Sequence, residues 1–176
     1  YCYGNQPHIA RWNLARLAEA LLPLMANAAD DASVQRAVAQ VTEVIDAFPA
    51  AYAAALLQGR RAKLGLLAAT AADDTDDTAL AEGWLALLQA QGVDFTLGWR
   101  RLADAAEGHD AALKALFADA APLEAWLARW RACCTRDDAV GTSGGPARAA
   151  RMRRVNPWLI ARNHRVEAAL AVAQDD

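Results

Sequence analysis

The chain has 176 residues, 55% of them apolar, and a formal net charge of −3. That length suits one domain burying roughly two-thirds of its unfolded surface. So small a charge gives no polyelectrolyte signature, and no apolar run approaches the roughly 20 residues that span a bilayer, so neither nucleic acid nor membrane is expected as a partner.

Much of the apolar share is alanine, which favours helix strongly but contributes little buried surface. Val and Ile are sparse, and β-branched residues rarely alternate with polar ones, which argues against a sheet. An all-α fold, an irregular multi-helix bundle, is therefore expected, with Leu, Val, Ile and six tryptophans supplying the core. Cys2, Cys133 and Cys134 are odd in number and contain no CxxC spacing, so neither a zinc knuckle nor a thioredoxin-type site is supported. A reducing cytoplasm fits them best. The first residues lack the basic head and apolar core of a signal peptide and an initiator methionine, so the chain is expected to begin inside a longer protein or a processed product.

In chain order, Pro7 suits the first position of a helix in which Leu14, Leu17, Leu21 and Leu24 recur at three- and four-residue steps, ending near Pro23. Asp30 to Ser33 reads as a capping stretch. Behind it, Val34, Val38, Val41, Ile45 and Phe48 keep a helical rhythm. Each such side chain is worth about 1.5–3 kcal/mol when fully buried, which outweighs the helix penalty of β-branching. Pro49 should end or kink this helix, and another should follow from Tyr52 to Leu64. Ala71 to Asp77 reads as an acidic, flexible connection, with Thr75 or Asp77 capping a helix that carries Leu80, Trp84, Leu85 and Leu88 and stops at Gly92. Helices are predicted over 95–105 and 110–117, and from Pro122 through Trp130. Thr135 to Gly145, rich in Gly, Ser, Thr and Asp, is expected to be a loop and internal boundary. Pro146 opens a basic helix, and Asn156-Pro157 should cap and start the last one. The expected organisation is a helical region over 1–134, a flexible loop over 135–145, and basic helices over 146–176 packed on the same domain.

No constellation carries chemistry by itself. The run Asp73 to Asp77 fails as a calcium loop, because its sixth position is Thr78 and its twelfth Trp84; a solvated loop is expected. His8, His109 and His164 are widely separated and form no metal motif. Ser143-Gly144-Gly145 lacks the surroundings of a phosphate loop, and neither Ser33 nor Ser143 has a base nearby in sequence. The tryptophans fall on apolar helix faces and are expected in the core. Arg148 to Arg165 carries six arginines, readable as a solvated face paired with acidic helices or as a docking surface for an acidic partner or phosphate.

Tyr3-Gly4-Asn5-Gln6-Pro7, followed by Trp12-Asn13-Leu14-Ala15-Arg16-Leu17-Ala18, resembles the YGNQPxxxxWNLxRLA segment of the selenoprotein O family. Three later segments agree in the family's order: Arg61-Ala62-Lys63-Leu64-Gly65-Leu66, Asp94-Phe95-Thr96 with Arg100-Arg101-Leu102, and Val155-Asn156-Pro157 through Arg162-Asn163, in which Ala161 replaces the usual leucine. The resemblance implies the lower C-lobe and C-terminal helices of a kinase-like fold. It further implies a parent protein that binds ATP, with magnesium or manganese, and transfers AMP to Ser, Thr or Tyr hydroxyls of proteins. The family's catalytic, phosphate-contacting and metal-binding residues belong to segments before YGNQP, so no catalytic, cofactor-binding or metal residue is carried over to this chain. The chain is expected to stop short of the family's C-terminus, where some relatives hold a selenocysteine or cysteine.

The resemblance thus implies a structural, inactive part of a protein adenylyltransferase, partnered by the upstream kinase-like lobe and lacking its own cofactor. Tyr3, Asn5, Gln6, Trp12 and Arg16 are the candidates for supporting the activation segment, Arg16 as an ion-pair partner. A face normally covered by that lobe would lie open in the isolated chain, and self-association is then expected. The alternative is a stand-alone, non-catalytic helical module that binds proteins through the basic Arg148 to Arg165 face or an apolar groove. The reading frame upstream of Tyr1 separates the two.

Overall fold

A computed structural model describes residues 3–67, 73–139 and 144–174. Ala71 and Ala72 of the expected acidic connection, Val140 to Ser143 of the expected loop, and Cys2 lie outside the described residues. Among the described residues every regular element is helical and there is no strand. The chain divides into two compact units, Tyr1–Leu56 and Leu57–Asp176.

In the first unit a single 3-10 turn, Tyr3–Asn5, leads into α1, Gln6–Met25. Pro7 occupies the first turn as its missing donor allows, and Pro23 falls in the last turn. The Asp30 carboxylate accepts a hydrogen bond from the Ala32 amide at 3.0 Å, and the Ser33 hydroxyl accepts one from the Asn27 amide at 3.2 Å. These bonds fix the expected capping stretch at the start of α2, Asp31–Leu64. The helix does not end at Pro49. Proline deletes one amide donor and crowds the carbonyl four residues back, a local defect, and α2 runs through it as one 34-residue helix. Ala37 is the one buried hydrophobic residue among the described residues of this unit.

The second unit begins with the last turns of α2 and adds α3 (Asp74–Ala90), α4 (Phe95–Ala106), α5 (Ala111–Lys114), α6 (Ala120–Ala139), α7 (Gly145–Val155) and α8 (Asn163–Gln174). Leu64, Leu80, Leu102, Leu113, Leu123 and Leu127 surround a chain of aromatic rings in its core. Trp84 stands at the centre, with ring centroids of Trp126 at 4.5 Å, Phe117 at 5.9 Å and Trp99 at 6.0 Å. Trp126 and Trp130 satisfy their indole donors on the Leu80 and Leu64 carbonyls at 3.0 and 2.9 Å. Four of the six tryptophans are therefore core, as expected, while Trp12 and Trp158 are exposed.

Gly92 stops α3 in the left-handed region at φ 62°, where a side chain would be strained. The expected 95–105 helix is α4, whose N-cap Asp94 accepts from the Leu97 amide at 2.9 Å. The 110–117 helix shortens to the single turn of α5.

Three expectations are corrected. Asp74 to Asp77 are the first turn of α3, preceded by Asp73 at the N-cap position, so Thr75 and Asp77 cap nothing. Negative charge at a helix N-terminus is favourable, which reconciles the acidic run with helix. Residues 135–139 continue α6 and Gly145 already belongs to α7, so the loop is confined to fewer residues than expected. Asn156-Pro157 starts no helix. Asn156 ends α7 in an extended conformation, at φ −112° and ψ 92°, which proline imposes on the residue before it. The last helix begins seven residues later, at Asn163.

Candidate functional site

The five residues singled out by resemblance lie at the start of the first unit. Tyr3 belongs to the 3-10 turn. Asn5 stands at the N-cap position of α1 with helical φ and ψ (−85° and −3°), and its side chain makes no capping hydrogen bond. Asn5 and Gln6 are exposed. Trp12 is 59% exposed, and the Arg16 guanidinium lies over its ring at 5.6 Å. Arg16 also pairs with Glu19, one turn on, with both side chains about half exposed. An exposed pair of this kind contributes about 0–1 kcal/mol.

Further along the unit, Leu14, Leu17, Leu21 and Met25 of α1 and Val41, Val44, Ile45 and Phe48 of α2 line an open groove of about 450 Å³. Its walls include Leu14, Leu17 and Leu21 of the first apolar stripe read from the sequence and Val41, Ile45 and Phe48 of the second. Arg11 and Asp46 bridge α1 to α2 at 2.6 Å.

The other three motif segments meet in the second unit. Lys63, near the end of α2, donates to the Val155 carbonyl at 3.1 Å and to the Asn156 side-chain oxygen at 3.2 Å. Asn156 returns a bond from its amide nitrogen to the Lys63 carbonyl at 2.9 Å and is fully buried. Arg100 of α4 donates to the Arg153 and Asn156 carbonyls at 3.2 and 3.1 Å. Trp158 is overlain by Arg101 at 4.6 Å and Arg100 at 5.6 Å, and Arg162 pairs with Asp94 at 2.7 Å. The RxKLGL, D[YF]T…RRL and NPxxxLRN stretches thus form one polar junction, in which each short motif supplies partners for another.

Beside this junction lies a second polar network. Arg61 is buried and bonds Asp77 at 2.6 Å and Asp74 at 2.8 Å, while Arg136 reaches Asp73 at 3.1 Å and Asp77 at 3.4 Å. Asp77 is only 2% exposed, so the solvated-loop reading of the acidic run fails there. A buried carboxylate is tolerable because the guanidinium supplies both opposite charge and directed donors. Gly65, at φ 72°, turns the chain after α2. A Cβ there would come within 2.6 Å of the Arg148 Cγ, so only glycine permits the approach.

Arg148 is itself buried, donating to the Gly65 carbonyl at 3.2 Å, the Cys134 carbonyl at 2.8 Å and the Asp138 carboxylate at 2.8 Å. Arg153 pairs with Asp104 and Glu107. Burial pushes Asp104 up, but its bonds from Arg153 and Arg101 more than offset this and leave it below its ordinary value. Bonding to Arg153 likewise lowers Glu107. The basic stretch pairs with acidic residues, as one of its two expected readings had it, but it is not a solvated face throughout, because Arg148 is buried. Arg154 and Arg165 are exposed.

Burial raises the Cys133 thiol and pushes that of Cys134 up to about 12, far from the thiolate range of a redox-active cysteine. His8, His109 and His164 are exposed. Among the described residues, no three His, Cys, Asp or Glu side chains are grouped to hold a metal ion, and the clustered acids are engaged by arginines. No described helix is long and apolar enough to cross a membrane. Sequence reasoning missed Arg61, Asp77, Arg148 and Asn156 as buried polar residues. The only advance signal was the placement of Arg61 and Asn156 within motif segments.

Fold and junction together define an all-helical region organised around buried arginine–carboxylate and lysine–asparagine contacts. The chain belongs to the SelO family of protein adenylyltransferases: the family model described as Protein adenylyltransferase SelO matches residues 1–176. Relatives described as Protein nucleotidyltransferase YdiU are 48% identical over 173 residues in Cereibacter sphaeroides, 47% over 175 in Chromobacterium violaceum and 41% over 176 in Agrobacterium fabrum. These alignments cover 98%, 99% and 100% of this chain but only 32%, 34% and 34% of the relatives. The chain spans about a third of their length.

Proposed function

We propose that this chain is the helical supporting part of a protein adenylyltransferase whose reaction centre lies in the remainder of the full-length protein. One observation carries the reading: a family match over the whole chain combined with coverage of a third of the relatives. In this reading the full-length protein transfers AMP from ATP to Ser, Thr or Tyr hydroxyls of protein substrates. ATP and its magnesium or manganese are held outside these residues. The role of the acids here supports the division of labour, since Asp77, Asp104, Glu107 and Asp138 are bound to arginines and serve to hold helices together. Free Cys133 and Cys134 fit a reducing, cytoplasmic setting.

The test is calorimetry of this chain with ATP and either metal. No heat of binding is expected at micromolar nucleotide, and micromolar affinity would overturn the proposal.

Within this reading, Tyr3, Asn5, Gln6, Trp12 and Arg16 support the activation segment of the full-length protein. The exposed amides of Asn5 and Gln6 at the uncapped start of α1 are the groups suited to hold a neighbouring backbone by hydrogen bonds. Loss of one such bond, worth about 1.4 kcal/mol, corresponds to about tenfold in rate. Full-length protein carrying Asn5→Ala is expected to lose AMP transfer on that scale while its circular dichroism is unchanged. Full activity in the variant would remove the assignment.

A further inference from the structure

We draw no further inference here: the strongest candidate, the apolar groove between α1 and α2 lined by Leu17, Leu21, Val44 and Phe48, carries nothing because nothing in the structure shows what covers it.

Discussion

Both units are built from helices, yet they differ in how much of their apolar surface they bury. In Tyr1–Leu56 the apolar stripes are regular and long, yet α1 has no buried residue and Leu24 and Val44 are 83% and 72% exposed. In Leu57–Asp176 the stripes are shorter and interrupted, yet Trp84, Trp130, Met152 and six leucines are sealed from solvent. Amphipathic periodicity states which face of a helix is available for burial. It does not state that a partner is present. The second unit closes because α3 to α7 and the end of α2 all contribute buried side chains, and because polar side chains at their ends are paired inside.

That contrast is sharpened most by cutting the core of one unit and the surface of the other. Trp84→Ala deletes the ring at the centre of the aromatic chain, and is expected to cost about 3–5 kcal/mol. Trp12→Ala, at an exposed site, should stay within about 0.5 kcal/mol. Urea unfolding followed by tryptophan fluorescence and circular dichroism reads both. A comparable loss for the two would break the comparison.

Ion pairs give the next largest separation. Asp77→Asn leaves the buried Arg61 guanidinium with Asp74 as its remaining carboxylate. Removing one partner of a buried pair costs about 3–5 kcal/mol. Because Asp74 remains, the low end, about 3 kcal/mol, is expected. Asp46→Asn removes the exposed partner of Arg11, and should cost at most about 1 kcal/mol. Equal midpoints for both variants in a urea titration would show that the network around Asp77 does not stabilise the fold.

A smaller contrast than either core substitution comes from the titration of a buried thiol. The Cys134 thiol ordinarily titrates at 9.0 and is held at about 12 by burial. The unfolded chain therefore releases this proton first, and the stability it represents is intact below the unfolded value and lost as pH rises toward the folded one. At one unit above the unfolded value the loss is about 1.4 kcal/mol. Lys63, whose pKa burial lowers, acts in the opposite sense. The informative quantity is therefore the difference in unfolding free energy between wild type and Cys134→Ala across the alkaline range. A difference independent of pH would mean the thiol is solvated in the folded state.

Several elements were legible in the residues before any coordinates. Pro7, Asp30 and Gly92 mark helix ends through properties of their own: a missing donor, a capping carboxylate, freedom at positive φ. The helices carrying Trp84, Trp99 and Trp126 followed from spacing. Two misreadings share one cause. Asp73 to Asp77 and Asn156-Pro157 both offer good local signals, and in both a side chain is engaged by a partner far away in sequence or on another helix. Asp77 found Arg61, and Asn156 found Lys63 across 93 positions of sequence.

The sequence by itself determined the helical class, the family and most helix starts, because propensity, capping and short motifs act over a few residues. Only the tertiary structure decided that Arg148 would be internal and that three motif segments would meet at Lys63 and Asn156. Those outcomes depend on desolvation and pairing between residues far apart in the chain. Local sequence spacing does not encode which charge will meet which.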